Sequence, residues 1–238
     1  MRFKALSNKG KIRSANEDNY FVDEDIKFYM VADGMGGHAA GEIASEIAVS
    51  VAENFKFDLS TPLNSLKNLV YDINDQIISE SQKNPDYRGM GTTFAAALLK
   101  ENKIYYLNLG DSRIYLYNKT KNELEKISKD HSLVANLVRQ GKITEEEAFN
   151  HPKKNIVTQA LGLEDDLDLD TGQIELLKNS YLLLCTDGLT DMIRNDSLKD
   201  VFNNYSNVDN IADQLLEEAL ANGGSDNITI IVADVDEN

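Results

Sequence analysis

Two hydrophobic periods alternate along the chain. Residues 28–32 form a short apolar run closed by Asp33-Gly34, which reads as a buried strand. From 41 to 55 the apolar positions recur every four residues, at Ile43, Ile47, Val51 and Phe55, with Ala44, Ala48 and Ala52 beside them. That is the spacing of a helix face. Leu66, Leu69, Val70, Ile73 and Ile77 predict a second helix. Ile211, Ala212, Leu215, Leu216, Ala219 and Leu220 predict a third, stopped by Gly223-Gly224. Residues 93–99, 103–109, 113–117 and 123–127 read as strands joined by three to five residues rich in Asn, Asp, Lys or Gly. Such connections are too short for a crossover helix, so an antiparallel meander is expected. Residues 181–185 and 228–235 are further apolar strands. Helices before and after an antiparallel core imply a layered α+β sandwich and argue against a doubly wound parallel sheet.

The stretch 131–158 breaks this pattern. It carries a short amphipathic segment (Leu133, Leu137, Val138), then Gly141, an acidic run Glu145-Glu146-Glu147, and His151-Pro152. It is expected to be a surface flap within a single domain spanning 1–238, since no repeat, low-complexity tract or linker interrupts the chain.

Charge narrows the classes. Forty acidic against 24 basic residues leave a formal charge of -16, which disfavours a grip on nucleic acid or anionic lipid. A single cysteine, Cys185, excludes an internal disulfide and suits a reducing compartment. No apolar run approaches the roughly 20 residues of a membrane span, and Met1-Arg2-Phe3-Lys4 does not begin a signal peptide. The expectation is a cytoplasmic, unanchored monomer.

Acidic residues gather where strands end or turns tighten: Glu17-Asp18, Asp33-Gly34, Asp187-Gly188 with Asp191, Asp226 after Gly223-Gly224, and Asp111 after Gly110. Hard divalent cations take oxygen ligands, and a catalytic metal pair needs carboxylates converging from distant parts of the chain. Two metals about 3.5–4 Å apart share a water and lower its pKa toward neutrality. An arginine can then hold the remaining phosphate oxygens in a fork. Arg13, four residues before Glu17, has the right chemistry. Each cluster alone is an ordinary turn or cap; their succession at strand boundaries carries the reading.

The stretches R-S-A-N-E-D, V-A-D-G-M-G-G-H-A-A-G-E, G-M-G-T-T, G-D-S-R-I-Y, K-D-H-S-L, L-L-C-T-D-G-L-T-D and G-G-S-D-N-I-T run in this order from Arg13 to Thr229. Together they resemble the metal-dependent serine/threonine protein phosphatases of the 2C type, particularly the compact bacterial members. The resemblance implies a four-layer αββα sandwich of two antiparallel sheets. It implies that Asp33, the Gly34 carbonyl, Asp187 and Asp226 hold two core Mn²⁺ or Mg²⁺ ions, with Asp18 and Glu17 contributing directly or through water. Arg13 would bind the substrate phosphate. Asp111 with Asp187 and Asp191 would form a third, weaker metal site. The implied reaction is in-line attack on phosphoserine or phosphothreonine by a hydroxide bridging two metals. Its implied counterpart is a serine/threonine kinase of the same cell. Some members carry a histidine directly after the Asp-Gly; here that position is Met35, leaving His38 or a metal-bound water to protonate the leaving group.

Other classes fit less well. A cysteine phosphatase needs an arginine six residues after its nucleophile, and counting from Cys185 reaches Asp191. Asp166, Asp168 and Asp170 have the spacing of an aspartyl-phosphate or calcium loop. However, Asp170 stands where the former needs threonine or valine, and Thr171 and Leu177 stand where the latter needs glycine and glutamate. A phosphoprotein-binding domain without catalysis would have lost a core aspartate, and all are present.

Overall fold

Phe28, Met30 and Ala32 point to one side of their strand and Tyr29 and Val31 to the other, and all five are fully buried. A strand covered on both faces must lie inside a stack of layers. The computed structural model, which describes residues 2–37, 40–163 and 166–235, shows that stack. One sheet has the order β1 (Phe3–Asn8), β11 (Ile228–Asp234), β10 (Ser180–Cys185), β7 (Arg113–Asn118), β8 (Glu123–Lys126). The other runs β2 (Asp18–Asp23), β3 (Phe28–Met35), β5 (Phe94–Lys100), β6 (Lys103–Leu109), β9 (Asp170–Glu175), with the short β4 (Gly91–Thr92) on the end of β3. All pairings are antiparallel.

Three hydrophobic layers hold the sandwich. Tyr29, Val31, Ala95, Ala97, Ile114, Leu116, Leu182, Leu184 and Ile231 fill the space between the sheets. The opposite face of β3 and β5 packs on α1 (Ala40–Asn54) and α2 (Pro62–Lys83). The opposite face of β7, β10 and β11 packs on α6 (Asn195–Asn204) and α7 (Val208–Ala221). A fully buried Leu, Ile or Phe contributes about 1.5–3 kcal/mol, so the strand ends between these layers are rigid. The α+β sandwich and its αββα layering are as expected.

Three expectations change. First, the four central strands are not one meander. β5 pairs with β6 and β7 with β8, but β6 and β7 lie in different sheets. The chain crosses between sheets at Gly110-Asp111-Ser112, where Gly110 adopts φ 107° and a Cβ would lie 2.6 Å from the Thr93 side chain. Second, β3 continues through Asp33-Gly34 to Met35, because Gly34 and Met35 pair with Thr92 and Gly91. Third, α1 turns its alanines to the sheet: Ala40, Ala44, Ala48 and Ala52 are buried, whereas Ile43, Ile47 and Val51 are only partly so. Small residues are needed because a methyl group at Gly34 would sit 2.1 Å from the Gly41 carbonyl oxygen.

Candidate active site

The two sheets end together at one cleft of about 380 Å³, lined by Arg13, Glu17, Asp33, Gly34, Asp111, Asp187 and Asp226 among others. The topology explains why residues so distant in sequence meet. Asp33 and Gly34 ride the end of β3, Asp187 opens the helical turn α5 (Asp187–Thr190) after β10, and Asp226 precedes β11. Asp111 sits in the crossover from β6 to β7. The Gly34 N–H donates to the Glu17 carbonyl at 3.1 Å, which also accepts from Ser45 Oγ of α1 at 2.6 Å. Thr93 donates its N–H to the Asp33 carbonyl at 2.9 Å, and its Oγ accepts from the Asp33 N–H at 3.0 Å. Asp33 is therefore carried by backbone whose N–H and carbonyl are both paired.

Asp18 stands apart from the cleft lining. It is buried at the start of β2, where Thr186 Oγ donates to its Oδ2 at 2.8 Å. Its Oδ1 and that of Asp187 are buried oxygens with no hydrogen-bond partner. Asn16 Oδ1, Asn108 Oδ1 and Ser180 Oγ also lack a partner, but the two carboxylates alone among these carry charge, which suits them to a cation. Burial, followed by repulsion from Asp191 and Asp226, pushes Asp187 up to about 7. Burial outweighs the Thr229 and Thr186 hydrogen bonds and takes Asp18 to about 7 as well. Asp33 is held well above the carboxylate range by burial and then by Asp18, Asp187, Asp111 and Asp226. Asp111 is raised by burial and by Asp187, with Arg113 opposing.

Such a set of crowded anions, with oxygen the only donor type, matches the preference of Mg²⁺ and Mn²⁺. The residues present thus fit the expected cations. Among the described residues, no three acidic, histidine or cysteine side chains already form a closed cation cage. Gly34 lines the same cleft beside Asp33.

Arg13 lies on the rim and donates from Nη2 to Asp226 Oδ2 at 2.7 Å. Its side chain is 50% exposed. Exposed ion pairs contribute about 0–1 kcal/mol, so this one can yield to a phosphate that offers a forked, charge-assisted pair. The loop carrying Arg13 is held by a residue the motif reading did not single out. Asn227 Nδ2 donates to the Lys9 and Ala15 carbonyls at 2.9 Å each, and its Oδ1 accepts from the Glu17 N–H at 2.8 Å. Its signal in the chain was its place beside Asp226 in the G-G-S-D-N-I-T stretch. Asn227→Ala is expected to destabilise by about 2–4 kcal/mol, one net bond per contact plus the orphaned carbonyls. It should also raise KM for a phosphopeptide more than it lowers kcat. Thermal melting and steady-state kinetics measure both.

The remaining candidates fall outside the floor of the cleft. Asp191 caps α5 and pairs with Lys154 Nζ at 2.9 Å. Lys154 belongs to the 131–158 segment, which contains α3 (Leu133–Arg139) and α4 (Glu145–Phe149) and lends Asn155, Ile156 and Val157 to the cleft wall. Lys154 and Arg194 both lie over the Phe149 ring, at 5.4 and 4.5 Å. His38 lies outside the described residues. Cys185 is fully buried on β10, and burial pushes its thiol up to about 12; it is a core residue rather than a nucleophile.

A sandwich of two antiparallel sheets between helix pairs, with carboxylates from separate strand ends around one cleft beside an arginine, has the build of a metal-dependent phosphatase. The chain belongs to the protein phosphatase 2C family, whose model, described as "Protein phosphatase 2C", matches residues 12–222. It is 37% identical to the serine/threonine phosphatase stp of Listeria welshimeri, covering 96% of this chain and 93% of that protein. It superposes on the Mycobacterium tuberculosis serine/threonine phosphatase PstP/Ppp with a TM-score of 0.92 at 35% identity, over 99% of both chains. A structure of the PstP catalytic domain in complex with two manganese ions aligns with a TM-score of 0.85 at 35% identity, over 97% of this chain and 96% of that one.

Proposed function

We propose that this phosphatase removes phosphate from phosphoserine and phosphothreonine in proteins, counteracting a serine/threonine kinase of the same cell. The supporting observation is the pair of orphaned buried oxygens, Asp18 Oδ1 and Asp187 Oδ1, within a cluster of mutually repelling carboxylates beside Arg13. Asp33, the Gly34 carbonyl, Asp187 and Asp226 would hold two core Mn²⁺ or Mg²⁺ ions, with Glu17 and Asp18 acting directly or through water. Asp111, Asp187 and Asp191 would serve a third, weaker site. Bound divalent cations would supply the Lewis acidity for in-line hydrolysis at phosphorus.

The chain's own residues do the rest. Arg13 leaves Asp226 to take two phosphate oxygens, which orients the ester toward the floor. Asn227 keeps that arginine's loop in place. Ile156 and Val157 form one wall of the cleft. His38 or a coordinated water would return the proton to the leaving alkoxide. Among the described residues no helix is long and apolar enough to cross a membrane, which is compatible with action on protein substrates in the cytoplasm.

With Mn²⁺ present, phosphate release from a phosphothreonine peptide is expected to exceed release from the matching phosphotyrosine peptide by about tenfold or more, roughly 1.4 kcal/mol in barrier. Equal rates would remove the serine/threonine assignment. No release from folded protein would favour a phosphoprotein-binding role.

A further inference from the structure

His131 belongs to the K-D-H-S-L stretch, and nothing in the proposed chemistry uses it. It is buried, 8% exposed, at the point where the 131–158 segment leaves the sandwich. Two hydrogen bonds join it to Gly110: the His131 N–H donates to the Gly110 carbonyl at 2.8 Å, and the Gly110 N–H donates to His131 Nδ1 at 3.1 Å. The ring therefore accepts at Nδ1 and, when neutral, carries its proton on Nε2. Burial holds the ring below the ordinary histidine pKa, against the pull of Asp168, Asp170 and Asp130 and with Arg139 acting in the same direction as burial.

Each partner of this pair leads to a different wall of the cleft. On the flap side, the His131 carbonyl accepts from the Thr158 N–H at 2.7 Å, Leu133 N–H donates to Ile156 at 2.9 Å, and Ser132 bridges Val157. These bonds close the neck from which Ile156 and Val157 face the cleft. On the floor side, Gly110 precedes Asp111 and is wedged against Thr93, whose hydroxyl meets Ser112 Oγ at 2.7 Å and the Asp33 N–H at 3.0 Å. One imidazole nitrogen thus sits between the flap neck and the backbone that carries Asp111 and Asp33.

We infer that His131 is a positioning residue, whose Nδ1 acceptor locks the neck of the 131–158 segment to the Gly110-Asp111 crossover and so holds the cleft wall in register with its carboxylate floor. This role rests on the phosphatase reading given above for its functional meaning, but the lock itself is a property of the fold. Misplacement of catalytic groups by about 1 Å can lower rates up to about 100-fold, so a bond of this kind can matter without touching substrate.

The test uses replacements that differ in where they place an acceptor. In His131→Asn, Oδ1 falls near the position of Nδ1; in His131→Gln, the amide reaches the position of Nε2. His131→Asn is expected to keep kcat on a phosphothreonine peptide close to wild type, and His131→Gln to lose about 10-fold or more, at temperatures well below both melting points. A structural role alone would lower melting in both and leave kcat of the folded proteins alike. In the wild-type protein, nitrogen-15 imidazole NMR should show Nδ1 bare and Nε2 protonated, and the Gly110 amide should exchange faster in His131→Gln than in His131→Asn. A proton on Nδ1, or equal kcat in the two folded variants, would overturn the inference. Wild-type protein without phosphatase activity would count against the functional reading, while the tautomer and Gly110 exchange still decide the lock.

Discussion

Asp187→Asn is expected to reduce phosphate release by about a thousandfold, roughly 4 kcal/mol of barrier, while making the metal-free protein harder to unfold. Both effects have one origin. Asp187 sits where burial and the charges of Asp191 and Asp226 push its carboxyl up to about 7, and its Oδ1 has no partner. A carboxyl whose folded pKa lies above its unfolded value favours folding fully only below the unfolded value. That contribution is lost as pH rises through the folded value, so at pH 8 the ionised group opposes folding. Asparagine keeps the shape and removes the charge, and for a chain of this size each kcal/mol recovered raises the melting point by about 2–4 °C. Activity and stability should therefore move in opposite directions, as at other sites strained for function. Phosphate release with Mn²⁺ and melting in EDTA at pH 8 measure the two arms. Residual activity above about a tenth of wild type would place Asp187 away from the chemistry, and a melting point lowered in EDTA would show that its charge is already compensated inside the fold.

The sequence displayed the carboxylates better than it displayed their surroundings. Asp33, Asp187 and Asp226 were visible because each adjoins an apolar strand with glycine beside it, and that pattern lies within a few neighbouring residues. The strands β3, β5, β10 and β11 were visible for a related reason: they are covered on both faces and read as nearly continuous apolar runs. Phe3–Asn8, by contrast, is an edge strand of mostly half-buried residues, and Asp170–Glu175 likewise has no fully buried position. Neither offers a period to read. The crossover at Gly110 was misread as a hairpin because a short polar link with glycine looks the same in either case. What separates them is the contact of Gly110 with Thr93, which only the fold supplies.

Asn227 and His131 were harder still. The bonds that give Asn227 its role reach Lys9, Ala15 and Glu17, more than 200 positions away. His131 is paired with the backbone of Gly110, 21 positions away. A residue whose importance comes from the backbone it holds leaves little trace in composition or spacing. The carboxylates announce chemistry; the groups that aim them do not. The alanine face of α1 repeats the lesson in packing, since the spacing marked Ile43 and Ile47 with the alanines beside them, and the close approach of Gly34 to Gly41 put the alanines against the sheet.

Stripping divalent cations with EDTA is expected to abolish phosphate release and to reverse the pH dependence of stability. In the stripped protein, Asp18 and Asp187 carry folded pKa values of about 7, and Asp33 and Asp111 are also raised. Each is ordinarily near 3.9 in an unfolded chain. The unfolded state therefore binds fewer protons than the folded one between about pH 4 and 7, and stability should fall as pH rises across that window. Mn²⁺ binds the ionised carboxylates of the folded protein, so its affinity, and the stability it adds, grows over the same range. At free Mn²⁺ about 100-fold above its dissociation constant the added stability is about 2.7 kcal/mol, or roughly 5–11 °C in melting point at 2–4 °C per kcal/mol. Melting curves at pH 5 and pH 8, with EDTA and with Mn²⁺, should therefore diverge most at pH 8. Parallel curves at the two pH values would mean that the crowded carboxylates do not meet the metal, and release that persists in EDTA would move catalysis away from this cleft's cations altogether.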